Sequence, residues 1–400
     1  MRAEARRART AARALTDEGV AAALHAAAGQ LAAQREGVLA ANEQDVAVAT
    51  GRLDDGALDR LRLTPARLGD LERQLAALAA LPPLERELES WTLENGLRVS
   101  VRKIPVGVVG ANFEARPPVA LDIASQLLKS LNGCVLRTGG AALRTVTVLI
   151  DAVLRPSLDA AGLPPDAIGL VRTETHAGAD ALVSLPDDVP LVILRGSGET
   201  TRRLGRLAAE HGVQVLAHAD GGGVLYIDTD VDLDRAERVI RASLDRLGVC
   251  NRLNLLLVHE SLGVDRFAPL LHELGLATYG PADVDLGHEW ANDPERVASV
   301  TCRAVVDANE AATIANDATS GLAAAIVTEN EATARAFLDQ YRGTACFWNA
   351  PTRFADGYAL TGTPETGINV GWSPGPRGPV TYRDLWLRQY QVVGDGSQHR

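Results

Sequence analysis

The sequence predicts an α/β enzyme built from two doubly wound lobes, with a small flap beside them. Short apolar runs alternate with helical stretches between Val106 and Asp228 at the spacing of βαβ units. A second alternation of the same kind runs from Gly223 to Asn349. The 400 residues also exceed what one hydrophobic core usually organises, so more than one lobe is expected.

From Arg2 to about Asp45 the chain is Ala-rich, and Leu15, Val20, Leu24, Leu31 and Leu39 fall at helical spacing. A further helical stretch runs from about Ala57 to Leu81, closed by Pro82-Pro83. Thr92 to Val101 alternates around Asn95-Gly96, which reads as an exposed hairpin. VGVVGANF (106–113), CVLRTGG (134–140), AIGLVR (167–172), LVILRG (191–196) and VQVLA (213–217) read as buried strands. Helices near 119–131, 144–161 and 200–211 lie between several of them.

The second set comprises GVLYID (223–228), a helix near 232–247, NLLLVHE (254–260), a helix near 264–275, AVV (304–306), AAAIV (323–327) and ACFWN (345–349). Pro/Gly-rich sequence from Thr361 to Pro379 leads into an apolar tail, Leu385 to Val393, with no partner close in sequence. The expected organisation is a cofactor lobe of residues 1–222 joined by 361–380 and a catalytic lobe of 223–360. Residues 90–104 and 381–400 would form an oligomerisation flap, because unpaired strand edges tend to be paired across subunits.

Composition narrows the function. A net charge of -11 argues against general affinity for nucleic acid. No apolar run approaches the ~20 residues of a membrane helix, and Met1 to Arg9 lead into no apolar signal region, so a cytoplasmic protein is expected. Lysine occurs only at Lys103 and Lys129, which singles out Lys129 as a residue kept for its amine. Cys134, Cys250, Cys302 and Cys346 form no C-x-x-C pair and have no histidine at metal spacing, so free thiols and no metal are expected. RGSG (195–198) and LRTGG (136–140) end strands, as phosphate-binding turns do and as ordinary βα turns also do; no G-x-G-x-x-G is present. The histidines make no Cys/His or Ser/His/Asp pattern, and His218 stands out only for its place before the second set.

Several longer segments occur together: LDRLRLTPARL (58–68), PVGVVGANFEARP (105–117), Lys129, CVLRTGG (134–140), RLGVCN (246–251), NAPTRFADG (349–357), RGP (377–379) and VVGDG (392–396). In this order they resemble the gamma-glutamyl phosphate reductase family, also called glutamate-5-semialdehyde dehydrogenase, of the aldehyde dehydrogenase superfamily. The resemblance runs from about residue 30 onward and implies an aldehyde-dehydrogenase-like fold. It implies a cysteine thiolate that attacks an acyl phosphate, expels phosphate and is reduced as a thioester by NADPH, giving a semialdehyde for proline biosynthesis. A thiolate suits this work because it both attacks and leaves well.

Carried over by position, Cys250 is the nucleophile, with Asn251 beside it at the catalytic centre. Glu114, Arg116, Lys129, Asn349, Thr352, Arg353 and Phe354 fall on the substrate side, with Arg116 and Arg353 as anion clamps. Arg137, Gly139, Gly196, Ser197 and Glu295 fall on the cofactor side. NADP(H) is favoured over NAD(H), and Arg137 or Arg144 would meet the extra phosphate. A homo-oligomer, dimer or tetramer, is implied.

The sequence also departs from the family pattern. Gly140 and Ala141 replace a Lys-Glu pair, Asn254 replaces a Glu, and Ala217-His218-Ala219-Asp220-Gly221-Gly222-Gly223-Val224 replaces a stretch ending in Cys-His. Gly321-Leu322-Ala323-Ala324 stands where His, Ser and Asp are usual. Two other readings therefore stay open: a paralogue acting on another activated or carrier-bound acyl group, and a non-catalytic homologue serving as an assembly partner.

Overall fold

The computed structural model describes the chain except residues 197, 219–220, 248, 291–297, 373–374 and 399–400; of Asp55 and His218 it describes the backbone alone. Five helices open the chain: α1 (Arg2–Ala12), α2 (Asp17–Ala33), α3 (Arg35–Ala49), α4 (Asp55–Leu61) and α5 (Pro65–Ala80). The single helix expected over 57–81 is thus two. Thr64 accepts from the Arg67 amide and Pro65 occupies the first turn, which starts a new helix rather than continuing the old one.

β1 (Glu87–Thr92) and β2 (Arg98–Pro105) form the expected hairpin. Then follow β3 (Val108–Phe113), α6 (Pro117–Lys129) and β4 (Gly133–Thr138). α7 (Leu143–Val148) continues through a π-type stretch (Leu149–Leu154) into α8 (Arg155–Ala160). β5 (Ile168–Leu170), α9 (Ala177–Leu182), β6 (Leu191–Arg195), α10 (Gly198–His211) and β7 (Gln214–His218) complete this part. The five strands from β3 to β7 pair in parallel in the order β5-β4-β3-β6-β7. The chain starts at the middle strand and reverses direction between β3 and β6, so this is a doubly wound sheet whose switch point lies between those two strands.

The next part contains β8 (Gly223–Ile227), α11 (Leu233–Ser243), β9 (Leu253–His259), α12 (Ala268–Glu273), β10 (Ala277–Tyr279), β11 (Ser299–Val305), α13 (Ala308–Asp317), β12 (Ala323–Val327), α14 (Glu331–Gln340) and β13 (Ala345–Trp348). These strands form a parallel six-stranded sheet in the order β10-β11-β9-β8-β12-β13. Val224, Tyr226, Leu255 and Leu257 pack on one face, and Leu225, Ile227, Leu256 and Val258 on the other. Period-two alternation of apolar residues on both faces is what a sheet covered by helices on each side requires. β10 and the first half of β11 escaped the sequence reading because Thr278, Ser299 and Thr301 interrupt the apolar run; Thr301 is buried and accepts from Trp290 Nε1 at 3.0 Å.

α15 (Gly357–Thr361), β14 (Gly367–Asn369), β15 (Gly378–Val380) and β16 (Trp386–Val393) end the chain. β16 pairs antiparallel with β2 over its whole length, from Trp386 opposite Pro105 to Val393 opposite Arg98. The tail, which has no partner close in sequence, finds one far from it in the chain: its ladder closes on the hairpin, and the order is β1-β2-β16. Every residue of β1 and nearly all of β16 is exposed. No helix among the described residues is long and apolar enough to cross a membrane.

Candidate active site

β3 and β6 deliver their C-terminal ends to one place. After β3, the Glu114 amide donates to the Arg195 carbonyl at 3.1 Å, which binds the two strand ends together. The Arg116 amide donates to the Glu114 carbonyl at 2.6 Å, and Pro117-Pro118 then starts α6, leaving Arg116 as its N-cap. Gly196 lets Glu114 fold across this turn, because a Cβ there would stand 2.9 Å from Glu114 Oε1.

The Arg116 guanidinium has no ion-pair or hydrogen-bond partner among the described residues, and burial, then Arg195 and Arg60, press its pKa down to about 10. Cys250 and Glu114 act in the opposite sense, so the nucleophile candidate and this cation feel each other's charge. A guanidinium open to solvent, with no counter-ion among the described residues, is poised to take an anion. Arg195 is committed instead: it pairs with Glu365 Oε1 at 3.2 Å and reaches the carbonyls of Glu365 and Thr366. Glu365 Oε2 in turn accepts from the Gly357 amide at 3.0 Å. Asp122, on the first turns of α6, is pushed up to about 7 by burial, with Arg195 opposing and Glu365 adding to the shift.

The facing wall comes from the second sheet. Cys250 sits half-buried in the turn before β9, and its carbonyl accepts from the Gly222 amide at 2.6 Å. Two glycines are required here. A Cβ on Gly221 would lie 2.7 Å from Cys250 Cβ and 2.5 Å from Glu289 Oε1, and Gly222 has φ +110 with Asn254 Nδ2 only 2.3 Å from where its Cβ would be. Burial pushes the Cys250 thiol up to about 11; Glu289 and Glu365 add to this, while Arg116 and Arg195 oppose it. Burial holds Cys134, Cys302 and Cys346 at about 12.

Of the residues carried over by position, Cys250, Glu114, Arg116 and Gly196 converge on this cleft. Asn251 serves as a latch: its amide donates to the carbonyls of Arg353 and Ala355 at 2.9 and 3.2 Å. Thr352 is buried and its hydroxyl donates to the Asn251 carbonyl at 2.9 Å. Arg353 is consumed by Asp245, at 2.7 Å, and by Asn251 Oδ1, so it is not a spare anion clamp. Phe354 is half exposed beside them.

Two placements differ from expectation. Asn349 adopts φ +53 and bridges the Thr328 amide and carbonyl at 3.1 Å each, level with the C-terminal ends of β12 and β13 and away from Cys250. Its amide is spent holding a loop. Lys129 ends α6 at the opposite pole from Arg116, about 18–20 Å along a 13-residue helix. Its Nζ donates to the Leu81 carbonyl at 2.6 Å, and burial holds its pKa below the ordinary lysine range.

On the cofactor side, Arg137 is buried at the end of β4 and donates to Asn112 Oδ1 and the Thr175 carbonyl, while its Nε has no partner. Gly139 faces open space, and Arg144 is exposed just beyond it. Ser197 and Glu295 lie outside the described residues. Among the described residues no group of His, Cys, Asp and Glu could hold a metal. Sequence reading missed Arg60, Arg195, Asp122, Glu289 and Glu365. Only Arg195 carries a local signal, as the last strand residue before Gly196.

The Aldehyde dehydrogenase family model matches residues 3–274 and 297–375. The gamma-glutamyl phosphate reductase of Zymomonas mobilis is 34% identical over 379 residues, covering 90% of this chain and 86% of the relative. That of Moorella thermoacetica is 35% identical over 412 residues, covering 98% and 96%. The crystal structure of the gamma-glutamyl phosphate reductase from Thermotoga maritima superposes with a TM-score of 0.88 at 27% identity, covering 99% of each chain. With the Cys250 turn of one doubly wound sheet facing Arg116 of the other, and with likeness of this extent, the chain belongs to the gamma-glutamyl phosphate reductases of the aldehyde dehydrogenase family.

Proposed function

We propose that this chain reduces gamma-glutamyl phosphate, or a closely related activated amino acid, to its semialdehyde through Cys250. The observation that supports the reading is that Cys250 and the Arg116 guanidinium feel each other's charge, Arg116 having no ion-pair or hydrogen-bond partner among the described residues. Arg116 holds the phosphate as the sulfur bonds to the acyl carbon, and phosphate departs with the electrons of the broken C–O bond. Neutralising that leaving group is the main electrostatic task of the first lobe. The fold fits a nicotinamide cofactor: the open turn at Gly139, the close turn at Gly196 and the N-terminus of α10 give backbone room and amides for a pyrophosphate. When bound, the cofactor supplies the hydride that reduces the thioester. NADP(H) is favoured over NAD(H), because exposed Arg144 and the unpartnered Arg137 Nε suit a 2′-phosphate.

A second reading, a different acyl end, is favoured by one observation. Gly223, Asn254 and Ala323 stand at the entry ends of adjacent strands β8, β9 and β12. Gly221 to Val224, Asn254 and Thr319 line a cavity of about 10 Å³, and Asn254 Oδ1 is buried there without a partner. A site arranged this way binds the substrate's far end differently from one lined with charged groups. Steady-state turnover of glutamate-5-semialdehyde with phosphate and oxidised cofactor, set beside longer and N-acylated semialdehydes, tests both readings. Rescue of a proline auxotroph with full activity on glutamate-5-semialdehyde supports the first, and a preference of at least ~10-fold for an analogue supports the second. We further propose a cytoplasmic homo-oligomer, supported by the exposed β1-β2-β16 sheet bearing Trp91, Tyr390 and Val392.

A further inference from the structure

The second wall continues past Cys250. That residue packs in one apolar patch with Leu322, Phe347, Ile368 and Val370. Ser320 Oγ also donates to the carbonyl of Gly221, the residue lying against Cys250, at 3.1 Å. At its far end the patch runs along the chain into Gly321, before β12, and Trp372, after β14. Two cations meet an indole there. The Arg377 guanidinium, just before β15, lies 4.4 Å from the Trp372 ring centroid, and that of Arg342, after α14, lies at 5.6 Å. Gly321 carries its backbone up to them: a Cβ on it would stand 3.8 Å from Trp372 Cζ2 and 3.9 Å from Arg377 Nη2. The Tyr341 hydroxyl lies against Gly343 beside them and feels the charge of Arg377.

The hydrogen bonding of this cluster is unfinished. Arg377 Nη1 donates to the Arg342 carbonyl at 2.6 Å, but its Nε and Nη2 are shielded from water and have no partner, and neither has the hydroxyl of buried Tyr341. Donors buried without partners cost stability that a fitting acceptor restores. The nearby Asp317 carboxylate reaches only Arg342, at 3.9 Å, with both side chains exposed. Among the described residues no carboxylate pairs with Arg377. Leu322, Ala323 and Ala324, which follow Gly321, bring no charge of their own.

We propose that Arg377, with Arg342, Trp372 and Tyr341, selects the far end of the acyl substrate, and that it takes a carboxylate with no free ammonium beside it. This rests on the acyl-transfer reading above and names the substrate class for it. The methylene chain of the substrate lies along Leu322 and Val370, and its carboxylate takes the Arg377 Nε and Nη2 as a fork. The exposed Trp372 indole moves aside, its cation–π contact exchanged for charge-assisted hydrogen bonds. The Tyr341 hydroxyl supplies a third donor. Two guanidiniums repel an ammonium, so the amine of the substrate is acylated or absent.

The test uses the full-length protein in the oxidative direction, with phosphate and oxidised cofactor. N-acetylglutamate-5-semialdehyde and glutarate semialdehyde should each exceed both glutamate-5-semialdehyde and pentanal by at least ~10-fold in kcat/KM. Arg377→Met should raise KM for the two favoured aldehydes roughly 10- to 100-fold with kcat near native, and Arg377→Lys should recover part of the loss. Titration with glutarate, which cannot react, should change the tryptophan fluorescence of the native protein saturably, and Trp372→Phe should abolish that change. An unchanged KM in Arg377→Met, an equal loss on pentanal, a preference for the free ammonium, or no response to glutarate overturns the proposal. A native protein that answers to glutarate but turns over no aldehyde overturns the acyl-transfer reading and leaves the carboxylate site standing.

Discussion

The two sheets meet the substrate in opposite ways. The first presents the C-terminal ends of β3 and β6 at its switch point, and what it offers is charge: Arg116 without a partner among the described residues, Arg195 held by Glu365, and Asp122 nearby. The second presents the entry ends of β8 and β9, and what it offers is closeness: Gly221 and Gly222 let the Cys250 turn lie directly against the strands. In the function proposed above, long-range attraction falls to one wall and covalent chemistry to the other. Substitutions on the first wall should alter how strongly anions are held. Those on the second should alter whether the reaction or the fold survives.

The sharpest break is expected from Cys250→Ala, which should lower turnover by at least ~10³-fold while thermal unfolding and cofactor binding stay near native values. Comparable loss in Cys134→Ala with Cys250→Ala still active would overturn the assignment of the second wall. Arg116→Met should cost about 1.5–3 kcal/mol of transition-state binding, roughly 10- to 100-fold in kcat/KM, read as initial rate against phosphate concentration. Gly222→Ala should destabilise the fold by about 1–3 kcal/mol in urea unfolding, because its backbone is left-handed and the new Cβ meets Asn254. Gly139→Ala, at φ -64 with nothing within 4 Å, should stay within about 0.5 kcal/mol and weaken only cofactor binding.

The first wall also carries a pH signature. The Asp122 carboxyl is raised in the folded protein from 3.8 to about 7, so between those values the folded state binds the proton and the unfolded state does not. Stability should therefore fall as pH rises from about 4 to about 7 and level off above it. Asp122→Asn should flatten that slope, measured as unfolding midpoint against pH. The smallest effect on catalysis is expected from Tyr390→Arg or Val392→Arg on the exposed flap sheet, which should reduce sedimentation as an oligomer and leave the fold intact.

Much of this contrast was legible in the residues, and the reasons are physical. The strands of both sheets are apolar runs buried on two faces, such as Val224 to Ile227, and such runs stand out whatever surrounds them. Cys250, Glu114 and Arg116 could be named because they lie within contiguous segments that carry the family resemblance. Glu289 and Glu365 could not. Each reaches the cleft from a segment far along the chain, and nothing near it in sequence marks a carboxylate as facing a thiol. Lys129 and Asn349 fail for the opposite reason. Their places in sequence suggested the site, but a helix length and a strand length carry their side chains to other ends of their lobes, where backbone carbonyls and amides take them up.

The return of the last segment to the first sheet sets an order of assembly on the ribosome. Gln126 Oε1 accepts from the Tyr382 amide at 2.7 Å, Asn132 donates to the Leu385 carbonyl at 2.9 Å, and Val380, Tyr382 and Leu385 are buried in the first core. That core is therefore unfinished until nearly the whole chain has been synthesised, whereas the second sheet draws its strands from one continuous stretch, β8 to β13. The wall that carries Cys250 can form while the wall that carries Arg116 and Arg195 still waits for its closing residues. A stalled or prematurely ended chain would expose apolar surface from the first core, built from the earliest residues made.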